Sequence, residues 1–284
     1  MKLGFTTYDN LKALDFAKEA GFGCLEFTTL PGWAGMDLPN ELDSQAKIAE
    51  FEGAMDKSGI DIGSIITAVN PMAADPAVAK AHSDYLKGMI SVAGKLGIPF
   101  ISTTSGQNPE ISLDDNVKLF GKVYRELIKV ADDNGVRIVF ENCLHGYPKG
   151  QNIAVNPETW EKVFNEVDSP TLGLEFDPSH LVFQFIDPVA AAREFASRIY
   201  IVHAKDTEIL DDELDRGGIL SLTGYWRFRL PGYGEVDWPA LFQVLREAGF
   251  DGNLVIEHED PVFHGERMKE GLIIGKNYLS QFIW

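Results

Sequence analysis

The strongest constraint on this chain is a repeat of form rather than of letters. A short apolar run is followed by a helical stretch closing near a glycine, then by another short apolar run, about eight times over. The spacing predicts strands at residues 2–6, 24–28, 62–69, 100–104, 136–140, 172–176, 199–202 and 254–256. Between and after them it predicts helices at 10–20, 46–57, 83–96, 113–132, 157–167, 188–196, 238–248 and 266–282. Near-continuous apolar strands imply a sheet buried on both faces, the signature of parallel strands joined by helices. A doubly wound sheet also alternates, but rarely so regularly over a whole chain. No linker or shift of composition breaks the pattern, so the expectation is a single (β/α)8 barrel spanning residues 1–284 as one domain. In such a barrel the chemistry sits at the C-terminal ends of the strands.

Four successive strand ends carry a residue able to hold a metal. These are Glu141 after strand five, Asp177 after strand six, His203 after strand seven and Glu257 after strand eight. Consecutive strands are neighbours around a barrel, so the four side chains can converge. A lone carboxylate at a strand end is ordinarily a loop residue or a cap, but four in succession are hard to explain as solvation. Three carboxylates and one imidazole make an oxygen-rich set suited to Mn2+, Mg2+ or Co2+, with Zn2+ also accommodated. Mn2+ is the favoured ion.

Other titratable groups read differently. His145 and His264 are expected on loops or the surface, and His82 opens a helix. His258 follows Glu257 directly, so alternation turns it away from the site, where it can support its neighbour. Lys205 and Asp206 follow strand seven; a substrate contact and an ion pair are both open for them. Trp33 and the aromatics of residues 225–228 flank the barrel mouth, either lining a sugar pocket or forming a subunit contact.

The four strand ends, together with Glu141-Asn142-Cys143 and the later Asn152-Ile153-Ala154 and Pro157, resemble the sugar phosphate isomerase/epimerase family. That is the xylose isomerase-like barrel superfamily, which includes tagatose 3-epimerase, hydroxypyruvate isomerase and inosose-processing enzymes. The resemblance implies one divalent ion on Glu141, Asp177, His203 and Glu257, with Glu141 and Glu257 as the acid/base pair. It implies that His180, three residues after the aspartate, contacts the substrate carbonyl. It also implies an arginine after strand seven in a similar role; Arg227 and Arg229 both qualify, and Arg216 less well. A homo-oligomer, dimer or tetramer, is implied on the same ground.

The chemistry is coherent on its own terms. A metal chelated by a sugar carbonyl and its neighbouring hydroxyl stabilises the enediolate left by deprotonation. Two carboxylates on opposite faces can move the proton between faces or carbons. The expected function is isomerisation or epimerisation of a keto sugar, keto-polyol or keto-glycoside. Loss of a β-hydroxyl from the same intermediate gives the alternative, a dehydratase of an inosose or a 3-keto-glycoside.

Composition trims the remaining classes. Asp and Glu outnumber Lys and Arg by 43 to 25, a formal charge of -18, which opposes binding to nucleic acid or an anionic membrane. Endonuclease IV-like phosphodiester hydrolysis is a remote alternative, because it needs extra histidines where this chain has Thr28-Thr29, Val69-Asn70 and Thr104-Ser105. A non-catalytic sugar-binding barrel would leave the acid/base pair idle. No phosphate loop is visible, so the expected substrate is a neutral polyhydroxy compound; a sugar phosphate held by Arg227, Arg229 or Lys205 is the alternative. Residues 132–141 approach a calcium-loop spacing but place Val130 at the first ligand position, and the glycines at 232 and 234 lack the dinucleotide fingerprint. With two distant cysteines, no basic leader and no long apolar run, the chain is expected in the cytoplasm.

Overall fold

The computed structural model describes residues 1–144 and 150–283. His145 lies outside the described residues. Eight parallel strands follow the order of a closed barrel, and a two-stranded antiparallel ribbon is added to them. In chain order the strands are β1 (Lys2–Thr7), β2 (Cys24–Thr28), β3 (Asp61–Thr67), β4 (Phe100–Thr103), β5 (Arg137–Glu141), β6 (Leu172–Phe176), β7 (Ile199–His203), β8 (Asp206–Ile209), β9 (Trp226–Arg229) and β10 (Asn253–Ile256). The ribbon is β8–β9; the other eight strands form the barrel in the order β1-β10-β7-β6-β5-β4-β3-β2. No helix among the described residues is long and apolar enough to cross a membrane.

The chain groups into two compact units, Thr6–Glu175 and the set formed by Met1–Phe5 with Phe176–Trp284. In the first unit β2, β3, β4 and β5 pair in parallel succession, and β5 pairs with β6 in a register that sets Glu141 beside Glu175. In the second, β1 pairs with β10 and β10 with β7, setting Val255 beside His203.

The helices end where local chemistry dictates. Gly21, Gly59 and Gly135 close three of them in the left-handed conformation that only glycine adopts without penalty. The helix predicted from residue 83 begins seven residues earlier and runs Pro76–Lys95. Asp75 caps it by accepting from the Ala77 amide at 2.7 Å, and Pro76 occupies the first turn, where its missing N–H costs nothing. The apolar spacing used for the prediction misses this because residues 76–82 are largely solvent-facing.

The strands are not uniformly apolar. Glu26 and Glu175, each fully buried, lie within runs read as apolar. Glu26 accepts from the Thr6 hydroxyl at 3.0 Å and the Ser64 hydroxyl at 2.7 Å, and Glu175 accepts from the Ser102 hydroxyl. Short hydroxyl side chains on other barrel strands provide the donors that a buried carboxylate requires. The ribbon β8–β9 is the other feature absent from the predicted string; its register sets Asp206 beside Arg229 and Glu208 beside Arg227.

Candidate functional site

In the unit holding Phe176–Trp284, the ends of β6, β7 and β10 bring charged side chains together. Asp177 follows β6 and is fully buried. Its Oδ1 accepts from the Ser179 amide at 2.8 Å, which starts the short helix Ser179–Val182 and sets the carboxylate's orientation. His180, one residue further, lies with Nε2 3.4 Å from Asp177 Oδ2. His203 ends β7, is fully buried, and has Nδ1 3.3 Å from Glu257 Oε2. Glu257 follows β10. Candidate ligand atoms of Asp177, His180 and Glu257 all lie within 4.8 Å of one another.

The sequence left Lys205 open, and the structure puts it at the middle of this cluster. It is only 1% exposed. Its Nζ lies 3.1 Å from Asp177 Oδ2, 2.5 Å from Glu257 Oε2, 2.9 Å from Glu259 Oε2 and 3.4 Å from His180 Nε2. The Phe228 ring covers the ammonium at 4.3 Å and meets the His180 ring edge-on at 5.3 Å. An ammonium is buried only where paired charges replace its hydration. Glu259, with its side chain about half exposed, was not singled out in the sequence; the only signal was its place two residues after Glu257.

Asp206, next in the chain, is also buried but has a different environment. Its carboxylate accepts from the Thr207 amide at 2.9 Å, the Val236 amide at 3.0 Å, the Gly232 amide at 2.9 Å and the Trp238 indole at 3.0 Å. Burial pushes its pKa above the ordinary carboxylate range, and these four donors oppose that rise. Asp206 thereby ties the start of β8 to the segment that follows β9. Gly232 is required there. Its φ is +86°, and a Cβ would lie 2.6 Å from the Tyr278 ring.

Arg227 and Arg229 lie together on one face of the ribbon. Arg227 Nε donates to Glu208 at 2.7 Å; Arg229 binds Glu208 and donates to Asp260 Oδ2 at 2.9 Å. Glu208 is held below its ordinary range, first by its bond to Arg227. Asp260 is fully buried, and burial alone would raise its pKa; Arg229 and the amides of Val262 and Leu230 outweigh this and hold it low. Arg216 lies in the helix Asp211–Gly217. His258 turns away from Glu257, as alternation predicts. Both its ring nitrogens are buried without a hydrogen-bond partner, it packs on Gly271, and burial lowers its pKa.

In the other unit, Glu141 ends β5 with its residue 8% exposed. Asn152 fixes this strand end: its amide donates to the Glu141 carbonyl at 2.8 Å and to the Cys143 carbonyl at 2.9 Å. Its Oδ1 in turn accepts from the Ser105 amide and hydroxyl at 3.0 and 2.7 Å. Trp33 sits in the turn after β2 and is 61% exposed. His82 Nδ1 lies 3.1 Å from the Asn70 backbone. A cavity of about 610 Å³ in this unit is lined by residues including Asn10, Leu38 and Phe51, and by none of the predicted site residues.

The donor chemistry in the Lys205 cluster is carboxylate and imidazole without thiolate, a set that fits a hard or borderline divalent ion. A sequence signature described as a xylose isomerase-like TIM barrel covers residues 14–277. The uncharacterised YfiH protein of Bacillus subtilis (strain 168) is 29% identical over 295 aligned positions, 91% of this chain and 90% of that one. An inosose dehydratase of Clostridium tetani (strain Massachusetts / E88) is 24% identical, over 84% of this chain and 82% of its own. Among solved structures, the IolI protein with a bound zinc atom superposes with a TM-score of 0.76 at 22% identity, covering 99% of this chain and 98% of that one. With the signature spanning nearly all of its length, the chain belongs to the xylose isomerase-like TIM barrel family.

Proposed function

We propose that this protein is a divalent-metal-dependent isomerase or epimerase of a neutral keto sugar, keto-polyol or keto-glycoside. Glu141, Asp177, His203 and Glu257 would hold the ion, Mn2+ by preference, and Glu141 and Glu257 would transfer the proton. The observation that carries the reading is the packing of Asp177, His180 and Glu257 around a buried ammonium at strand ends, with His203 against Glu257. The β5–β6 register supports Glu141 as the fourth ligand. It sets Glu141 beside Glu175, and alternation along the chain returns Asp177 to the face of Glu175.

A bound divalent ion supplies Lewis-acid charge that favours the enediolate form of a keto sugar. The chain's own residues do the rest. Glu257 accepts the proton from the carbon next to the carbonyl; the C–H electrons form the new C=C bond and the carbonyl π electrons move onto its oxygen. Glu141 delivers a proton taken from solvent to the other face or the neighbouring carbon, which restores a carbonyl, and Glu257 releases its proton to solvent. His180 donates to the carbonyl oxygen, and Lys205 contacts a substrate hydroxyl. The arginines support a neutral substrate: both are engaged by Glu208, and Arg229 also by Asp260, so neither is a ready phosphate anchor.

A second reading is favoured by the named relatives. Several are inosose dehydratases of 23–26% identity. From the same enediolate, the β C–O bond breaks, its electrons leave with the oxygen, and a proton completes a water molecule. Incubation of the Mn2+-loaded protein in deuterated water with a panel of ketoses and inososes decides between them. Product of unchanged skeleton carrying solvent deuterium marks an isomerase or epimerase; product lighter by one water marks a dehydratase. In either case Glu257→Gln should retain metal and lose rate by a factor on the order of 10² or more. Near wild-type turnover by both Glu141→Gln and Glu257→Gln, without exchange, would eliminate the mechanism.

A further inference from the structure

The cavity of about 610 Å³ in the unit Thr6–Glu175 has a volume suited to a small molecule. One wall is the turn after β1, residues 8–12. A second is the segment after β2, from residue 34 to residue 42. The third is the helix Gln45–Ser58, which turns Lys47, Glu50, Phe51 and Ala54 to the space. That spacing is a single helical face. The second wall is pinned by polar bonds. Asp37 accepts from the Gly32 amide at 2.6 Å and the Asn40 side chain at 2.9 Å, and the Leu38 amide donates to the Thr29 hydroxyl at 3.0 Å. Leu38, Leu42 and Phe51 are buried around a space that close packing ordinarily removes.

Asn10 is the buried polar residue of this lining, only 4% exposed. Its φ is +30°, outside the regions that most residues adopt. Its Nδ2 donates to the Thr28 carbonyl at 3.1 Å, which fixes the amide. The other branch, Oδ1, is buried, and no donor among the described residues reaches it. A buried acceptor left unmade destabilises a fold, and an unusual backbone conformation adds to that. Both persist at one residue on the wall of a cavity, where an incoming donor can complete the amide. The rim says what charge that molecule carries. Lys12 pairs with Asp9 at 3.3 Å and Lys47 with Asp43 at 3.0 Å, so neither is a ready anchor for an anion. Glu41 accepts from the Gly35 amide at 2.5 Å, and Glu50 is exposed to water, where a carboxylate holds a cation only weakly.

We infer that this cavity is a second ligand site, which binds a neutral, largely apolar alcohol or phenol. The hydroxyl donates to Asn10 Oδ1, and the ring or chain lies against Leu38, Leu42 and Phe51. None of these residues enters the isomerase reading, so the inference stands or falls without it.

The probes are 4-ethylphenol and 4-ethylanisole, which share a ring and differ in the donor. The ether is the more apolar of the two, so burial alone favours it. In NMR titrations of the full-length protein, the phenol should bind about tenfold or more tightly than the ether, the effect of one buried hydrogen bond made or left unmade. Intermolecular NOEs from the phenol ring should fall on the methyl groups of Leu38, Leu42 and Ala54, which locates the probe in the unaltered protein. Asn10→Gly accepts the positive φ and removes the acceptor, so it should bring the two probes to within about twofold of each other while both still bind. Ala54→Phe fills the space from its helical wall and should weaken both probes by about tenfold or more. Equal affinities in the wild type, NOEs confined to methyl groups elsewhere, or a phenol preference that survives Asn10→Gly overturns the inference. Should either variant fail to fold, the wild-type preference and the NOE positions decide on their own.

Discussion

Lys205 and Asp206 are adjacent, charged and buried, and the fold surrounds them in opposite ways. Asp206 is saturated by four N–H donors from the segments it joins, none from a charged side chain. Lys205 instead has three carboxylates and an imidazole within 3.4 Å. A charge satisfied by backbone donors serves the architecture, because its removal strands the amides that depended on it. A charge held among other ionisable groups has partners that a metal or substrate can engage in its place. The difference separates a residue that shapes the loop from one set among the groups of the proposed site.

The sharpest way to break this comparison is to exchange the consequences. Lys205→Met should lower turnover by a factor on the order of 10² or more, while divalent-ion affinity, measured by titration calorimetry, rises because no ammonium competes for Asp177 and Glu257. Weaker ion binding would show that Lys205 supports the ligands rather than competing with an ion. Asp206→Ala should do the reverse. Each stranded buried donor costs about 1–3 kcal/mol, so chemical denaturation should register a loss of about 3 kcal/mol or more, with ion affinity little changed.

pH sharpens the contrast further. The folded pKa of Asp206 lies above its unfolded value, so the folded state binds the proton more tightly. Its contribution is therefore fully present below the ordinary carboxylate pKa of about 4 and is lost as pH rises through the raised folded value. Glu208 has the opposite sign: held low by Arg227, it stabilises above its ordinary pKa and loses that contribution as pH falls through the depressed value. Thermal melts across the acid range should show the gap between wild type and Asp206→Asn moving in favour of wild type as pH falls. A gap that moves the other way contradicts the assignment. The smallest effect is expected on the far face of the ribbon. Arg227 is half-exposed, and its pair with Glu208 should contribute about 0.5 kcal/mol. A loss above about 2 kcal/mol in Arg227→Ala would make that face a structural element comparable to the Asp206 anchor.

Much of this was legible in the sequence. The apolar runs and glycine stops placed the eight barrel strands to within a residue or two over most of their lengths, because a strand buried on both faces must be apolar and a helix must satisfy its last carbonyls. Strand ends are fixed by the same signal, so Asp177, His203 and Glu257 could be picked out as a set before any contact was known. Glu26 and Glu175 were not legible, because a buried carboxylate is tolerated only where hydroxyls from other strands meet it, and pairing across strands leaves no trace in one strand's letters. The β8–β9 ribbon was equally hidden: its alternating Trp-Arg-Phe-Arg is too short to distinguish from a loop, and Asp206 reaches residues about thirty positions away to hold it.

The sequence by itself determined the periodicity, the stops and the residue types at the strand ends, since each rests on local geometry or on burial of a single face. Only the tertiary structure decided which charges meet. It sent Arg227 and Arg229 to Glu208, turned His258 onto a helix, and brought Lys205 among Asp177, Glu257 and Glu259. Those choices depend on register, ribbon twist and the donors left over after the backbone is satisfied, all set by residues far apart in the chain.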